Sequence, residues 1–249
     1  MDAHGRWGGS PRSSDAGATL QSAPPLAPAE ASGKRRLPRL RLPLIDRRLR
    51  VPAIIGGGLL LVVLFMVPAR IHLGDPTVLD RSVIDDAIPF LEWTIWVYVS
   101  YYPFLILAVW LPRDDRLRAD AVYGLLLSGA IGLIIFTLWP TTIVRESPSL
   151  AGIGGLPWRL LFSVDTMVNA LPSMHVAHTC LAAVALGSRS RLWRIVTPVW
   201  ATLIILSTLT TKQHYAVDLP GGFALAAVCF ILVRCGVDYW RVGRLLRPG

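Results

Sequence analysis

Leu171-Pro-Ser-Met-His-Val-Ala-His178 and Thr211-Lys-Gln-His-Tyr-Ala-Val-Asp218 are the two stretches on which the reading of this chain turns. Each stands at the end of an apolar run, and together they carry ionisable groups that such runs normally exclude. The Pro172-Ser173 step ahead of His175 reads as a helix start. Ser173 is a natural N-cap, and the free N–H groups of the first turn point at an anion. In the second stretch His214 lies four residues before Asp218, close enough for the carboxylate to orient the imidazole and stabilise its charge.

Working outward, the chain has 249 residues, of which 53% are hydrophobic and only 16% charged. That is the composition of a polytopic membrane protein. Six apolar segments, at 51–69, 92–112, 119–140, 173–188, 193–211 and 217–236, each approach the ~20 residues that a spanning helix needs. The expected fold is therefore all-α, a six-transmembrane-helix bundle. Trp93, Trp96, Trp110, Trp139, Trp193 and Trp240 fall near the expected ends, where interfacial aromatics anchor a span. Cys180, Cys229 and Cys235 lie inside apolar segments and have neither disulfide nor zinc spacing.

The formal net charge is +9, but it sits in short blocks beside apolar runs. That placement is a topology signal and argues against a nucleic-acid partner. Arg113, Arg116 and Arg118 separate spans two and three. Arg189, Arg191 and Arg194 separate four and five, and Arg234, Arg241, Arg244 and Arg247 follow six. With the block Lys34, Arg35, Arg36, Arg39, Arg41, Arg47, Arg48 and Arg50 they belong on one side, so both termini are expected in the cytoplasm. That first block can also bind anionic headgroups, but a simple cytoplasmic anchor is the preferred reading. Asp75, Asp80, Asp85, Asp86 and Glu92 mark the opposite loops. The expected organisation is a disordered basic tail over 1–50, a membrane catalytic domain over 51–240 and a basic C-terminal tail over 241–249. Among 25 Lys and Arg residues only Lys34 and Lys212 are lysines, a bias that points to a GC-rich, bacterial genome and hence to the plasma (inner) membrane.

This topology brings the end of span three, the start of four, the end of five and the start of six to the non-cytoplasmic face. Those ends carry Arg145, Ser173 with His175, Lys212 with His214, and Asp218. The connecting loop 141–172 is long for a compact bundle, which marks it as functional. Its second half, from Trp158 to Leu171, is expected to lie at the interface as a short amphipathic helix.

These residues form a metal-free inventory for phosphoryl transfer. Arg145 can fork two phosphate oxygens and Lys212 can add a point charge. Ser173 and the N–H groups behind it complete the anion cradle. A neutral His214 held by Asp218 can attack phosphorus, while His175 protonates the leaving oxygen and then activates the acceptor. His178, one turn beyond His175, is either a site contact or a packing residue. Met174 and Tyr215 are expected to stand behind the catalytic groups, and Glu146 and Asp165 to be solvated loop charges.

The pattern resembles the type 2 phosphatidic acid phosphatase superfamily. The family's PSGH motif appears as Pro172-Ser-Met-His175, and its SRxxxxxHxxxD motif as Ser207-Thr-Leu-Thr-Thr-Lys-Gln-His214-Tyr-Ala-Val-Asp218, matching at Ser, His and Asp. The resemblance implies a histidine nucleophile at His214 supported by Asp218, a proton donor at His175, a lipid phosphate substrate among membrane lipids, and no cofactor or metal. The chain departs from the family at several points. The KxxxxxxRP motif has Leu138 in place of its Lys and Glu146 after Arg145; Thr208 replaces the Arg of the third motif, and Met174 the Gly of the second. These changes resemble the branch of inositol phosphorylceramide and sphingomyelin synthases, which pass a phosphoryl headgroup to a lipid alcohol or polyol. Hydrolysis of a lipid phosphate or isoprenoid (pyro)phosphate is the leading expectation and headgroup transfer the alternative. Two other classes remain open: a metalloenzyme using His175, His178, His214 and Asp218 as ligands, and a non-enzymatic lipid transporter.

Overall fold

A computed structural model describes residues 38–68, 70–164 and 168–242. Most of the expected N-terminal tail, Asp165, and Arg244 and Arg247 of the C-terminal tail lie outside the described residues. The fold is mostly helical, and five helical stretches are long and apolar enough to cross a membrane: Arg47–Met66, Glu92–Trp110, Asp115–Leu138, Trp193–Thr210 and Asp218–Gly236. Within them run α1 (Arg50–Met66), α3 (Ile95–Val99), α4 (Tyr101–Trp110), α5 (Asp115–Leu138), α8 (Trp193–Thr210) and α9 (Asp218–Gly236). Short helices α2 (Val83–Ala87) and α6 (Leu156–Val164) lie in the connecting segments. The second crossing is broken at Ser100. Pro103 has no N–H to donate, and the first turn of a new helix is where that loss is tolerated.

The expected fourth span, α7 (Met174–Gly187), is only 14 residues long, about 21 Å at 1.5 Å per residue. It packs against α4, α5, α8 and α9. Ala177 and Leu181 meet Leu125, Phe136, Leu225 and Cys229 on one side, and Ala182 and Leu186 meet Phe104, Ala201 and Ile204 on the other. A helix surrounded by protein need not match the full hydrocarbon thickness, because its terminal polar groups find partners in neighbouring segments. By contrast α1 has no buried residue. Its Ile55, Leu59 and Val63 face outward, as lipid-contacting residues of a peripheral helix do.

The all-α expectation is modified at both ends of the bundle by short parallel ladders. Strand β1 (Leu40–Pro43) pairs with β4 (Val237–Trp240), Leu40 opposite Val237. Strand β2 (Thr77–Val78) pairs with β3 (Thr141–Thr142), and Thr141 also bridges Asn169. Residues 40–49, assigned from sequence to the tail, are thus built into the fold as β1 and a 3-10 turn capped by Asp46.

The arginine-rich ends are also less solvated than a pure topology signal requires. Arg118 is fully buried, donating to the carbonyls of Ile45 and Pro112 and pairing with Asp115. Buried Asp120 accepts from Arg234 at 2.6 Å and from the Tyr239 hydroxyl at 2.7 Å. Each buried charge is paired and also hydrogen-bonded to other elements, the setting in which buried charge is tolerated, and Arg118 Nε alone of that group finds no partner among the described residues.

At the opposite end α9 approaches the start of α7 closely at Gly221 and Gly222. A Cβ at Gly222 would lie 2.6 Å from the Ser173 carbonyl oxygen and 2.7 Å from Val176 Cβ, so only glycine fits. Gly222→Ala is expected to destabilise the protein by about 1–3 kcal/mol, the usual cost of overpacking, seen as a lowered Tm in detergent. Gly56→Ala, where an added Cβ meets nothing within 4 Å, is expected to leave Tm unchanged or raised, because alanine favours the helix.

Candidate active site

The site is assembled where α8 ends and α9 and α7 begin. The last turn of α8 is rich in hydroxyls that bond back along the helix, Ser207 to the Ile204 carbonyl and Thr211 to that of Ser207. The chain then reverses at Lys212, whose φ is +52°. Gln213 and His214 both donate their N–H to the Thr208 carbonyl, at 3.0 and 3.1 Å. Thr208, which stands where the family motif has Arg, therefore acts through its backbone to hold the turn.

His214 Nδ1 lies 3.1 Å from Asp218 Oδ2, and the same oxygen accepts the Tyr215 N–H at 2.9 Å. Asp218 is fully buried and His214 nearly so. A carboxylate facing Nδ1 holds the proton there and leaves the Nε2 lone pair to the outside. The Asp218 carbonyl accepts the Ser173 N–H at 3.2 Å, so the start of α9 is tied to the start of α7. Ser173 caps α7 through its hydroxyl, which accepts the Val176 N–H at 3.3 Å.

His175 is the second residue of α7, between the rings of Tyr98 and Tyr101 at centroid distances of 4.5 and 4.6 Å. Its ring is 5.7 Å from that of His214, edge to face. Both histidines line a narrow cavity of about 20 Å³ together with Arg145, Asn169, Gln213 and Met174. Among the described residues Arg145 is the only Lys or Arg that lines it. Asn169 Nδ2 and Gln213 Oε1 are buried and find no hydrogen-bond partner among the described residues. Gln213 Nε2 donates to the Thr211 carbonyl at 3.2 Å, which fixes the amide so that its oxygen is the orphan.

His175, His214, Arg145 and Met174 thus come to one cavity, with Asp218 directly behind His214. Two of the residues expected there, Lys212 and Ser173, do not line it, nor does His178, which the sequence leaves open between a site contact and a packing residue. Lys212 turns its ammonium away onto the carbonyls of Asp85 and Ile88, because its left-handed backbone directs the side chain toward α2. Ser173 spends its hydroxyl as a helix cap. His178 faces Tyr101, whose hydroxyl is 2.6 Å from its Nδ1. Tyr215 donates its hydroxyl to the Val144 carbonyl at 2.9 Å, pinning the residue next to Arg145. Glu146 pairs with Arg81 at 3.3 Å. Tyr98, Tyr101, Asn169 and Gln213 were not singled out from sequence. The two tyrosines lie in an ordinary apolar run, and the two amides lack the charge that draws attention to a site. Among the described residues no group of three or more His, Cys, Asp and Glu gathers as a metal set.

Asp85 secures the outer side of the turn. It completes a capping box with Ser82 and accepts the Ala216 N–H at 2.7 Å. Burial alone would raise its pKa, but the hydrogen bonds from Ser82 and Ala216 and the charge of Lys212 hold the carboxyl below its usual range. Burial also lowers the pKa of Lys212, assisted by the charge of Arg81. Because Asp85 is depressed in the folded state, its contribution is present above the ordinary carboxylate range and is lost as pH falls through the folded value. Asp85→Ala is expected to speed amide hydrogen exchange of Ala216 at neutral pH by about tenfold or more, the loss of one charge-assisted hydrogen bond. In the unsubstituted protein the same acceleration, corrected for intrinsic exchange, is expected only on acidification.

A family profile described as the PAP2 superfamily matches residues 63–232. No curated protein and no solved structure matches the chain significantly.

Proposed function

The chain belongs to the PAP2 superfamily, and from that membership we propose that it is an integral-membrane enzyme that hydrolyses a lipid phosphate or isoprenoid (pyro)phosphate through a phosphohistidine. The observation that carries this reading is the His214–Asp218 pair at 3.1 Å beside a cavity that His175 and Arg145 also line. In the first step His214 Nε2 attacks phosphorus as the bond to the leaving oxygen breaks, and His175 gives that oxygen its proton. In the second, water attacks the phosphohistidine, His175 takes its proton, and the P–N bond breaks to release phosphate. Arg145 holds two phosphoryl oxygens in its fork, and Asn169 Nδ2 adds a neutral donor. Arginine-rich segments at the far end of the bundle support a site on the non-cytoplasmic face of a six-span protein.

Transfer to an alcohol in place of water is the second reading, and two observations favour it. With Arg145 the only Lys or Arg lining the cavity among the described residues, the site holds one permanent positive charge. A phosphodiester carries one negative charge, whereas a phosphomonoester approaches two at neutral pH. The orphan Gln213 Oε1 is also an acceptor for a hydroxyl donor.

Purified protein in detergent with chelator, offered lipid phosphates with and without a lipid alcohol, tests both. Phosphate released without acceptor supports hydrolysis; a new phosphodiester formed only with acceptor supports transfer. His214→Ala is expected to abolish turnover with expression intact, and His175→Ala to cost about 10²–10⁴-fold in kcat, the usual worth of a general acid. Full activity in His214→Ala would sink the phosphohistidine mechanism, and lipid movement that survives it would point to a transporter.

A further inference from the structure

A second, larger concavity of about 540 Å³ opens beside the first. Its walls come from α1, α4 and α5, and it shares Phe65, Met174 and His175 with the phosphate cavity. From those shared residues it descends along α1 as far as Ala53, where Val109 and Val122 close on it from α4 and α5. Thirteen residues separate Ala53 from Met66, about 20 Å of helix rise, or two-thirds of a hydrocarbon core of ~30 Å.

The groove exists because of how α1 packs. Gly129 on α5 lets α1 lean in at Leu61 and Leu64, where an added Cβ would lie 3.0 and 3.1 Å from their methyl carbons. One turn below Leu61, Gly57 and Gly58 line the groove, and a Cβ at either meets nothing within 4 Å among the described residues. Any larger side chain there would project into the open space. Gly56, next in sequence, does not line it.

We propose that this groove seats the hydrocarbon chain of the substrate, with Gly57 and Gly58 keeping it open, so that the enzyme selects lipids by chain length. The inference rests on the reading of the adjoining cavity as the phosphate site, and continuity between the two identifies the occupant. A chain lying in the groove presents its head to His175 and His214. Lipid tails are as apolar as the groove, so transfer from the bilayer supplies little driving force. The groove instead aligns the chain, and alignment acts on the reacting geometry.

The experiment has two arms. Hexadecyl phosphate carrying a photoactivatable diazirine at its chain end is incorporated with the intact protein into lipid nanodiscs. Labelling at Ile54, Val109 or Val122, suppressed by unlabelled hexadecyl phosphate, is the expected result. Labelling confined to outward-facing Ile55 and Leu59 overturns the proposal. In detergent, Gly57→Leu and Gly58→Leu are expected to lower kcat/KM for hexadecyl phosphate at least about tenfold, as filling a packed site does, and to leave butyl phosphate unchanged. Gly56→Leu is expected to alter neither. Equal effects on both substrates, or none, overturn the proposal. Groove labelling in a protein that turns over neither phosphate would retain the groove and defeat the proposed function. Turnover of both with scattered labelling would do the reverse.

Discussion

Asp218 is bonded in three directions, and the arrangement of the site depends on it. One carboxylate oxygen orients His214 and accepts the Tyr215 N–H, while its main-chain carbonyl receives Ser173 at the start of α7. A single residue thereby sets both the tautomer of the proposed nucleophile and the distance between the two helix starts that carry the histidines. The close approach is permitted by Gly221 and Gly222, which leave no side chain between α9 and the Pro172–Ser173 backbone. A carboxylate without those partners would be costly at this depth in an apolar bundle, so the same bonds that shape the chemistry also make the buried charge tolerable.

The two ends of the bundle put their buried polar groups to different use. At the arginine-rich end Asp120 is held by Arg234 and Tyr239, and the Arg118 guanidinium is held by Asp115 and two carbonyls, so the main function of these charges there is to fasten α5, α9 and the entering chain. At the histidine end Asn169, Gln213 and His175 each keep a buried polar atom without a partner among the described residues. Native proteins rarely leave such atoms unmatched. Concentrated in one cavity beside a single guanidinium, they describe what a bound group would have to offer: acceptors for the Asn169 amide, and a hydroxyl for the Gln213 oxygen.

Length and hydropathy made the helical crossings legible. Each observed helix falls within a few residues of its expected apolar run, because a stretch of about 20 apolar residues has few alternatives in a bilayer. The helix in the long loop was legible only in part: α6 starts two residues ahead of the expected Trp158, and residues 168–171 at the expected end are not helical. The ladders β1–β4 and β2–β3 were not, since strands of two to four residues carry no periodicity and arise from backbone groups left over at the ends of helices. The short α7 was readable as an apolar run, but its place among four surrounding helices was not.

By itself the sequence determined the helical crossings, the helix start at Ser173 and the His214–Asp218 spacing, because these are local properties of composition, capping and separation along the chain. Tertiary structure decided which polar groups share the cavity. Lys212 and Ser173 had the right chemistry for phosphate, but a left-handed backbone sends one to α2 and a helix cap occupies the other. Asn169 and Tyr98 line the cavity from segments with no distinguishing pattern, and Gln213, although inside the second motif stretch, carries no charge to mark it. Spacing in sequence states which groups are near one another, and only the packing of helices on different sides of α7 states which way each side chain points.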